Sequence, residues 1–275
     1  MTRVALYQST TGIDPEANAR KLEDAIEQAS AGGAEMLFTP EMSGLLDRDA
    51  ARAAGNLRPQ DEDRVLAACR EAAARHGIWL HIGSLAVLAG DGKVANRSFA
   101  IDRHGEVRAT YDKLHLFDVD LPTGESWRES NTYSPGQGVV LVNGTPVGKL
   151  GLTICYDLRF PGLFARLAEA GADVIAVPAA FTVPTGMAHW HVLLRARAIE
   201  AGLFVIAAAQ VGRHEDGRQT FGHSLVVDPW GEVLLDMAEQ PAIGFVDIEL
   251  KRISEVRSRI PALSHRRPIP DAVTS

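Results

Sequence analysis

The sequence predicts an α/β protein built as a four-layer α-β-β-α sandwich, with two mixed sheets supplied by an internally duplicated chain. Three observations predict it. Gly33-Ala-Glu-Met-Leu-Phe-Thr-Pro40 recurs in kind as Gly171-Ala-Asp-Val-Ile-Ala-Val-Pro178, and Ser98-Phe-Ala-Ile-Asp102 with Gly105-Glu-Val107 recurs as Ser224-Leu-Val-Val-Asp228 with Gly231-Glu-Val233. The glycine-rich first turn that marks a doubly wound single sheet is absent. Self-similarity at this spacing identifies a repeated supersecondary unit.

Taken in order, residues 3–8 alternate as a strand, and an Ala/Glu-rich helical run leads into the strand that stops at Pro40. A second helical run precedes Gly77-Ile-Trp-Leu-His-Ile82, whose echo is Gly202-Leu-Phe-Val-Ile-Ala207. Each Asp-x-x-Gly then turns a strand back on itself as a hairpin. The halves, roughly 3–113 and 147–248, therefore repeat strand, helix, strand, helix, strand, hairpin. Two crossover helices cover only one face of a sheet, so the other face must be buried, and the sister sheet is the natural partner. Residues 114–137 form the longest irregular stretch. One domain spanning 1–275 is expected, with an extended tail from about 261 that includes Arg266-Arg-Pro-Ile-Pro270.

Composition excludes several classes of function. The net charge of −7 argues against a nucleic-acid partner. The longest apolar stretch, Ala201 to Val211, falls well short of the roughly 20 residues of a membrane span. The N-terminal residues enter a strand pattern with no signal composition, and there are two cysteines, which points to the reducing cytoplasm.

Chemistry centres on Cys155, where the apolar run Val147-Gly-Lys-Leu-Gly-Leu-Thr-Ile turns polar and then helical. A thiol on a strand-to-helix turn projects toward a cleft, and the positive end of the following helix should favour the thiolate. A nucleophilic cysteine needs a base or a cation nearby. Glu41 follows the first repeat's proline, where the second repeat has Ala179; alone it reads equally as a solvated loop acid. Lys113, in Tyr111-Asp-Lys-Leu-His, reads alone as a surface lysine at a strand end, and Glu129 as a solvated loop residue. His189-Trp190-His191 has alternate spacing on a helical pattern with no nearby Cys or Asp to complete a ligand set, so no metal is expected. Cys69 reads as core, Arg195 and Arg197 as structural ion pairs, and Asp157 and Arg159 as ties for the elbow.

Together, Pro40-Glu41, Tyr111-Asp112-Lys113-Leu114-His115 and Thr153-Ile154-Cys155-Tyr156-Asp157-Leu158-Arg159-Phe160-Pro161 resemble the three signature blocks of the nitrilase superfamily of carbon–nitrogen hydrolases. The resemblance runs from about Val4 to Arg267 and implies the same four-layer fold. It implies a Glu41, Lys113, Cys155 triad, with Glu129 before Ser134-Pro135-Gly136 as a second glutamate. Glu41 would then be the base, Lys113 and the Tyr156 backbone N–H the oxyanion donors, and a thioester the intermediate, with no cofactor. Blocks such as Ala207-Ala-Ala-Gln-Val-Gly-Arg-His214 and His265-Arg-Arg-Pro268 look most like the branch containing deaminated glutathione amidase; the omega-amidase branch is its neighbour. Substrates of both are anionic 2-oxo acid amides. Arg213 is the candidate for their carboxylate, and Phe181, Thr182, His189 and Gln210 are candidate pocket residues. The resemblance also implies a homodimer. An inactive binding or scaffold homologue is the alternative of a different class, and a thiol redox role is disfavoured by the lack of a nearby resolving cysteine.

Overall fold

A computed structural model describes residues 1–90, 92–120, 124 and 126–273; part of the 114–137 stretch therefore lies outside the described residues. The first half runs β1 (Thr2–Gln8), α1 (Pro15–Ala31), β2 (Met36–Phe38), a short α2 (Ala50–Ala54), α3 (Arg64–His76), β3 (Trp79–Leu88), β4 (Val94–Ile101) and β5 (Val107–Asp112). The connection holds a small hairpin of β6 (Asp118–Asp120) and β7 (Ser126–Arg128). The second half runs β8 (Leu141–Thr145), β9 (Gly148–Leu152), α4 (Pro161–Glu169), β10 (Val174–Ala176), α5 (Val183–Ala201) and β11 (Phe204–Ala207). It continues through β12 (Val211–Arg213), β13 (Gln219–Phe221), β14 (Leu225–Val227), β15 (Val233–Asp236), β16 (Ala242–Ile248) and α6 (Lys251–Arg259).

The two six-stranded sheets have the orders β16-β1-β2-β3-β4-β5 and β15-β14-β11-β10-β9-β8. The repeated units match strand for strand, β1 to β5 against β9, β10, β11, β14 and β15. One departure from the expected halves is β16, which leaves the second unit and pairs antiparallel with β1 along its whole length. An open edge beside β1 would present unpaired backbone groups, and β16 satisfies them.

Alternation along the strands shows the layering. Val4, Leu6, Met36 and Phe38 pack into one cluster with β9, β10 and β11, while Ala5 and Leu37 pack into another with α1 and α3. A side-chain period of two thus gives the first sheet one face for helices and one for its sister. On α1, Leu22, Ala25, Ile26 and Ala29 supply the buried stripe. Asp14 caps its N-terminus by accepting from the Glu16 N–H, and Pro15 fits the first turn. Helix α3 starts at the Asp63 cap and stops at Gly77 in the left-handed region. Helix α5 begins at Val183, earlier than the pattern from Val192, and turns Trp190, Leu194 and Ala198 inward.

The strand ends that carry the two repeated prolines converge. A side chain at Gly83 would collide with the carbonyls of Thr39 and Pro40 and with Pro178, so only glycine permits this approach. Gly83 lies in a bulge of the β3–β4 pairing, between Ile82 and Leu85. There Ser84 accepts from the amides of Met42 and Ser43 and fixes the chain just beyond Glu41.

Candidate active site

Cys155 follows β9 as the first residue of a 3₁₀ turn over Cys155–Arg159. Its φ of 49° places a non-glycine residue in the left-handed region, which costs on the order of 1–3 kcal/mol and has to be held by its surroundings. Its N–H donates to the Pro178 carbonyl at 2.8 Å. Asp157 supplies the rest of the hold. Its carboxylate accepts from the Ile154 N–H at 2.9 Å, the Tyr111 hydroxyl at 2.7 Å and the His115 N–H at 3.1 Å. One buried carboxylate therefore ties the cysteine turn to the segment carrying Lys113. Arg197 adds two bonds to the Leu158 carbonyl, besides its ion pair with Glu200.

Glu41, Lys113 and Cys155 meet in one place, only 4%, 2% and 8% exposed, so solvent screening is weak there. Lys113 Nζ lies 2.9 Å from Glu41 Oε1 and 2.9 Å from Glu129 Oε2. Asn96 Nδ2 donates to both glutamates, at 2.9 and 3.2 Å. The Ala180 N–H donates to Glu41 Oε2 at 2.9 Å, and the Phe117 N–H to Glu129 Oε2 at 2.6 Å. The Cys155 thiol lies beside the Glu41 carboxylate, close enough for each to shift the other's protonation. Glu129 thus lies against Lys113 rather than in solvent.

Charge follows from these contacts. Burial alone would raise the Glu41 carboxyl, but the Lys113 ammonium, the adjacent Cys155 thiol and hydrogen bonds from Lys113 and Asn96 outweigh it and hold it below its ordinary value. Burial opposes the Lys113 charge, yet Glu129 and Glu41 keep it well above the usual lysine range. The thiol moves opposite to the sequence expectation. Burial and the adjacent Glu41 carboxylate push it well above the ordinary cysteine value, and Lys113 only partly offsets them. A buried anion beside the sulfur dominates any helix end, and the next α-helix begins only at Pro161. The resting set is a thiol, a carboxylate and an ammonium.

These groups open into a cleft of about 780 Å³, lined by Tyr156, Phe181 and Thr182 among the sequence candidates. The other three candidates lie elsewhere. Gln210 is fully buried and turned away: its Nε2 donates to the Glu41 carbonyl at 2.9 Å and to Thr11, which holds the glutamate's backbone. Arg213 is exposed on β12 and outside the lining. His189 is exposed on α5, and among the described residues its ring is hydrogen-bonded to Arg159 alone, at 3.2 Å. Arg159, expected to tie the elbow, instead lines the cleft, with its guanidinium over the Tyr156 and Phe181 rings.

Sequence reasoning missed Asn96, Arg48, Arg218 and Trp127, all in the lining. Asn96 carried a signal, an amide inside the apolar strand Val94–Ile101. The expectation that no aspartate approaches the His189–His191 segment is also corrected. His191 Nε2 and His223 Nδ1 lie 2.9 and 2.8 Å from the two oxygens of Asp236, which arrives from β15. Cys69 is core, and burial raises its thiol pKa.

A buried cysteine sharing one cleft with a carboxylate and an ammonium, between duplicated α/β halves, defines a cysteine hydrolase of the α-β-β-α class. The chain belongs to the carbon–nitrogen hydrolase family, whose sequence profile matches residues 3–258. It is 41% identical over 267 residues to the deaminated glutathione amidase of Yersinia enterocolitica, covering 96% of this chain and 92% of that protein. The human deaminated glutathione amidase is 39% identical over 269 residues, 96% of this chain and 82% of that one. Among solved structures, the NitFhit protein of Caenorhabditis elegans superposes with a TM-score of 0.89 at 39% identity, and the match covers 97% of this chain and 65% of that one. A structure of a glutamate-to-glutamine mutant of the Nesterenkonia sp. AN1 amidase shows covalent addition of the acetamide moiety of fluoroacetamide at the active site cysteine. It superposes with a TM-score of 0.81 at 29% identity, over 97% and 94% of the chains. The protein is a cysteine-dependent hydrolase that acts on amides.

Proposed function

We propose that this amidase hydrolyses the amide of a small 2-oxo acid, of the kind its deaminated glutathione amidase relatives are named for, through a thioester on Cys155. The observation that carries the mechanism is that a thiol pushed up and a carboxylate held down share one dry pocket with the Lys113 ammonium, which lies 2.9 Å from that carboxylate. Glu41 takes the thiol proton as Sγ attacks the carbonyl carbon and the oxygen becomes an anion. Lys113 and the Tyr156 backbone N–H stabilise that oxyanion, and each such donor is worth roughly 10²–10³ in rate. The C–N bond then breaks, and Glu41 passes its proton to the departing amine. Water, deprotonated by Glu41, cleaves the thioester and releases the acid, with the thiol restored.

Glu129 positions Lys113, and it keeps the ammonium paired while Glu41 is transiently neutral. The cation that meets a 2-oxo acid carboxylate is Arg159, four residues after the nucleophile, in place of Arg213. The same reading takes the chain as one cytoplasmic domain that works as a homodimer. Support for the dimer comes from Met187 and Val192 on α5 and Trp230, Val233 and Leu234 near β15, all exposed and apolar. A panel of 2-oxo amides and simple aliphatic amides, read by ammonia or amine release, tests the substrate class. Preference for the simple amides would overturn it.

A further inference from the structure

Two histidines and an aspartate meet at the surface beside α5, and the chemistry at Cys155 does not use them. His191 Nε2 lies 2.9 Å from Asp236 Oδ2, and His223 Nδ1 lies 2.8 Å from Asp236 Oδ1. Their ligand atoms all fall within 4.8 Å of one another. The groups come from separate parts of the chain: α5, the segment between β13 and β14, and the last residue of β15. None of them lines the cleft.

Neighbouring bonds hold each group in place. The Trp190 indole N–H donates to the His223 carbonyl at 2.8 Å, which fixes the two histidine segments against each other. The His223 N–H donates to the Ala238 carbonyl at 2.7 Å, and the Ala238 N–H donates to Asp236 Oδ1 at 2.9 Å. Phe221 stacks on the His223 ring at 4.5 Å, and His191 meets that ring edge-on at 5.1 Å. Burial alone would raise the Asp236 carboxyl, but bonds from His191, the Ala238 N–H and His223 hold it below its ordinary value. The cluster therefore presents an anion and two imidazoles, and the exposed Asp236 leaves a path in from solvent.

We propose that His191 Nε2, His223 Nδ1 and the Asp236 carboxylate bind one divalent ion of the zinc class, with water completing its coordination. Imidazole nitrogens select such ions over magnesium and calcium, which take oxygen ligands. Donors about 2.0–2.1 Å from a tetrahedral zinc ion stand about 3.3–3.4 Å apart, so the two contacts widen by only about half an ångström. A carboxylate only accepts, so the ring nitrogens facing Asp236 carry the protons of these contacts. The ion takes the place of those protons, which move to the other nitrogen of each ring. For His223 that nitrogen, Nε2, lies 3.9 Å from Glu239 Oε1, an outer carboxylate of the kind that orients metal-bound imidazoles. The ion's role is structural: it fastens α5 to the β14–β15 hairpin.

The test titrates zinc chloride into full-length Cys155→Ala protein, so that the catalytic sulfur does not compete for the ion. Calorimetry should give one ion per chain with a dissociation constant of about 10 µM or tighter, weaker than closed four-ligand sites. The unfolding temperature should rise with free zinc by mass action. His191→Gln keeps a good helix former, and His223→Asn keeps a residue that tolerates the φ of 54° at that position. Each should weaken binding by at least the roughly 10–100-fold that losing an outer partner costs, whereas His104→Gln, at an exposed histidine elsewhere, should leave it unchanged. In the wild type, zinc should protect His191 and His223 from diethylpyrocarbonate, read by peptide mass. No saturable binding, binding of equal strength in His191→Gln and His223→Asn, or no protection of the two histidines overturns the site.

Discussion

Glu41→Gln separates the proton-transfer role of this carboxylate from its structural one. Glu41 accepts from Asn96, Lys113 and Ala180, each at 2.9 Å. A glutamine keeps one acceptor oxygen and must aim its NH₂ at an existing donor, so at least one of these bonds is lost. The cost is about 1–3 kcal/mol, inside the usual stability margin of about 5–15 kcal/mol. Lys113 stays neutralised by Glu129, so no isolated charge is left buried. Turnover should nevertheless fall by about 10²–10⁴, the range of a lost general acid–base. The sulfur should respond in the other direction. Glu41 is one of the two causes that raise the thiol, so its removal beside an unchanged Lys113 favours the thiolate. Alkylation of Cys155 by iodoacetamide at neutral pH should therefore speed up as catalysis is lost. Circular dichroism checks the fold, and the two rates are read on the same preparation. A folded variant within tenfold of wild-type turnover, or one alkylated more slowly than wild type, would refute the reasoning.

Lys113→Ala leaves Glu41 and Glu129 facing each other without a cation, so it should cost about 3–5 kcal/mol in denaturant unfolding. Adding Glu129→Gln should recover part of that stability with no return of activity. Asp157→Asn weakens the tie among Ile154, Tyr111 and His115, and should lower kcat by tenfold or more while KM changes little. For pH, the Glu41 carboxylate is the active form and its folded pKa is lowered, while the Lys113 ammonium is held above its usual range. The profile of kcat/KM should therefore be level across neutral pH, with its acid limb below the ordinary glutamate value. The stability that Glu41 contributes is complete above its unfolded pKa of about 4.3 and is lost as pH falls through the lower folded value.

The nucleophile turn was legible because its signal is local: an apolar strand, a cysteine and a helix start within a few residues. Glu41 and Lys113 gained meaning from their own local blocks, and the repeated strand–proline units led to the sandwich. What stayed hidden depends on side-chain direction. Arg213 lies on the hairpin of β12 and β13 that also carries Arg218, but the backbone turns at Gly212, with a φ of 79°, and Arg213 ends outside the cleft. Gln210 is on the expected segment, yet its amide is used up by Thr11 and by the Glu41 carbonyl. The crossing of β16 to the first sheet had no local mark, because an edge pairing is decided by what lies beside β1. The thiol's protonation was misread for a related reason. The helix end is visible in sequence, but the carboxylate against the sulfur comes from more than a hundred residues away.

The central claim is that the Cys155 sulfur forms a covalent bond to the acyl carbon during turnover. Rapid-quench mass spectrometry of the intact protein with a 2-oxo amide, followed by peptide mapping, measures it directly. An acyl group on the Cys155 peptide, with both adduct and turnover absent in Cys155→Ala, is the predicted result. Turnover that survives in Cys155→Ala would contradict it.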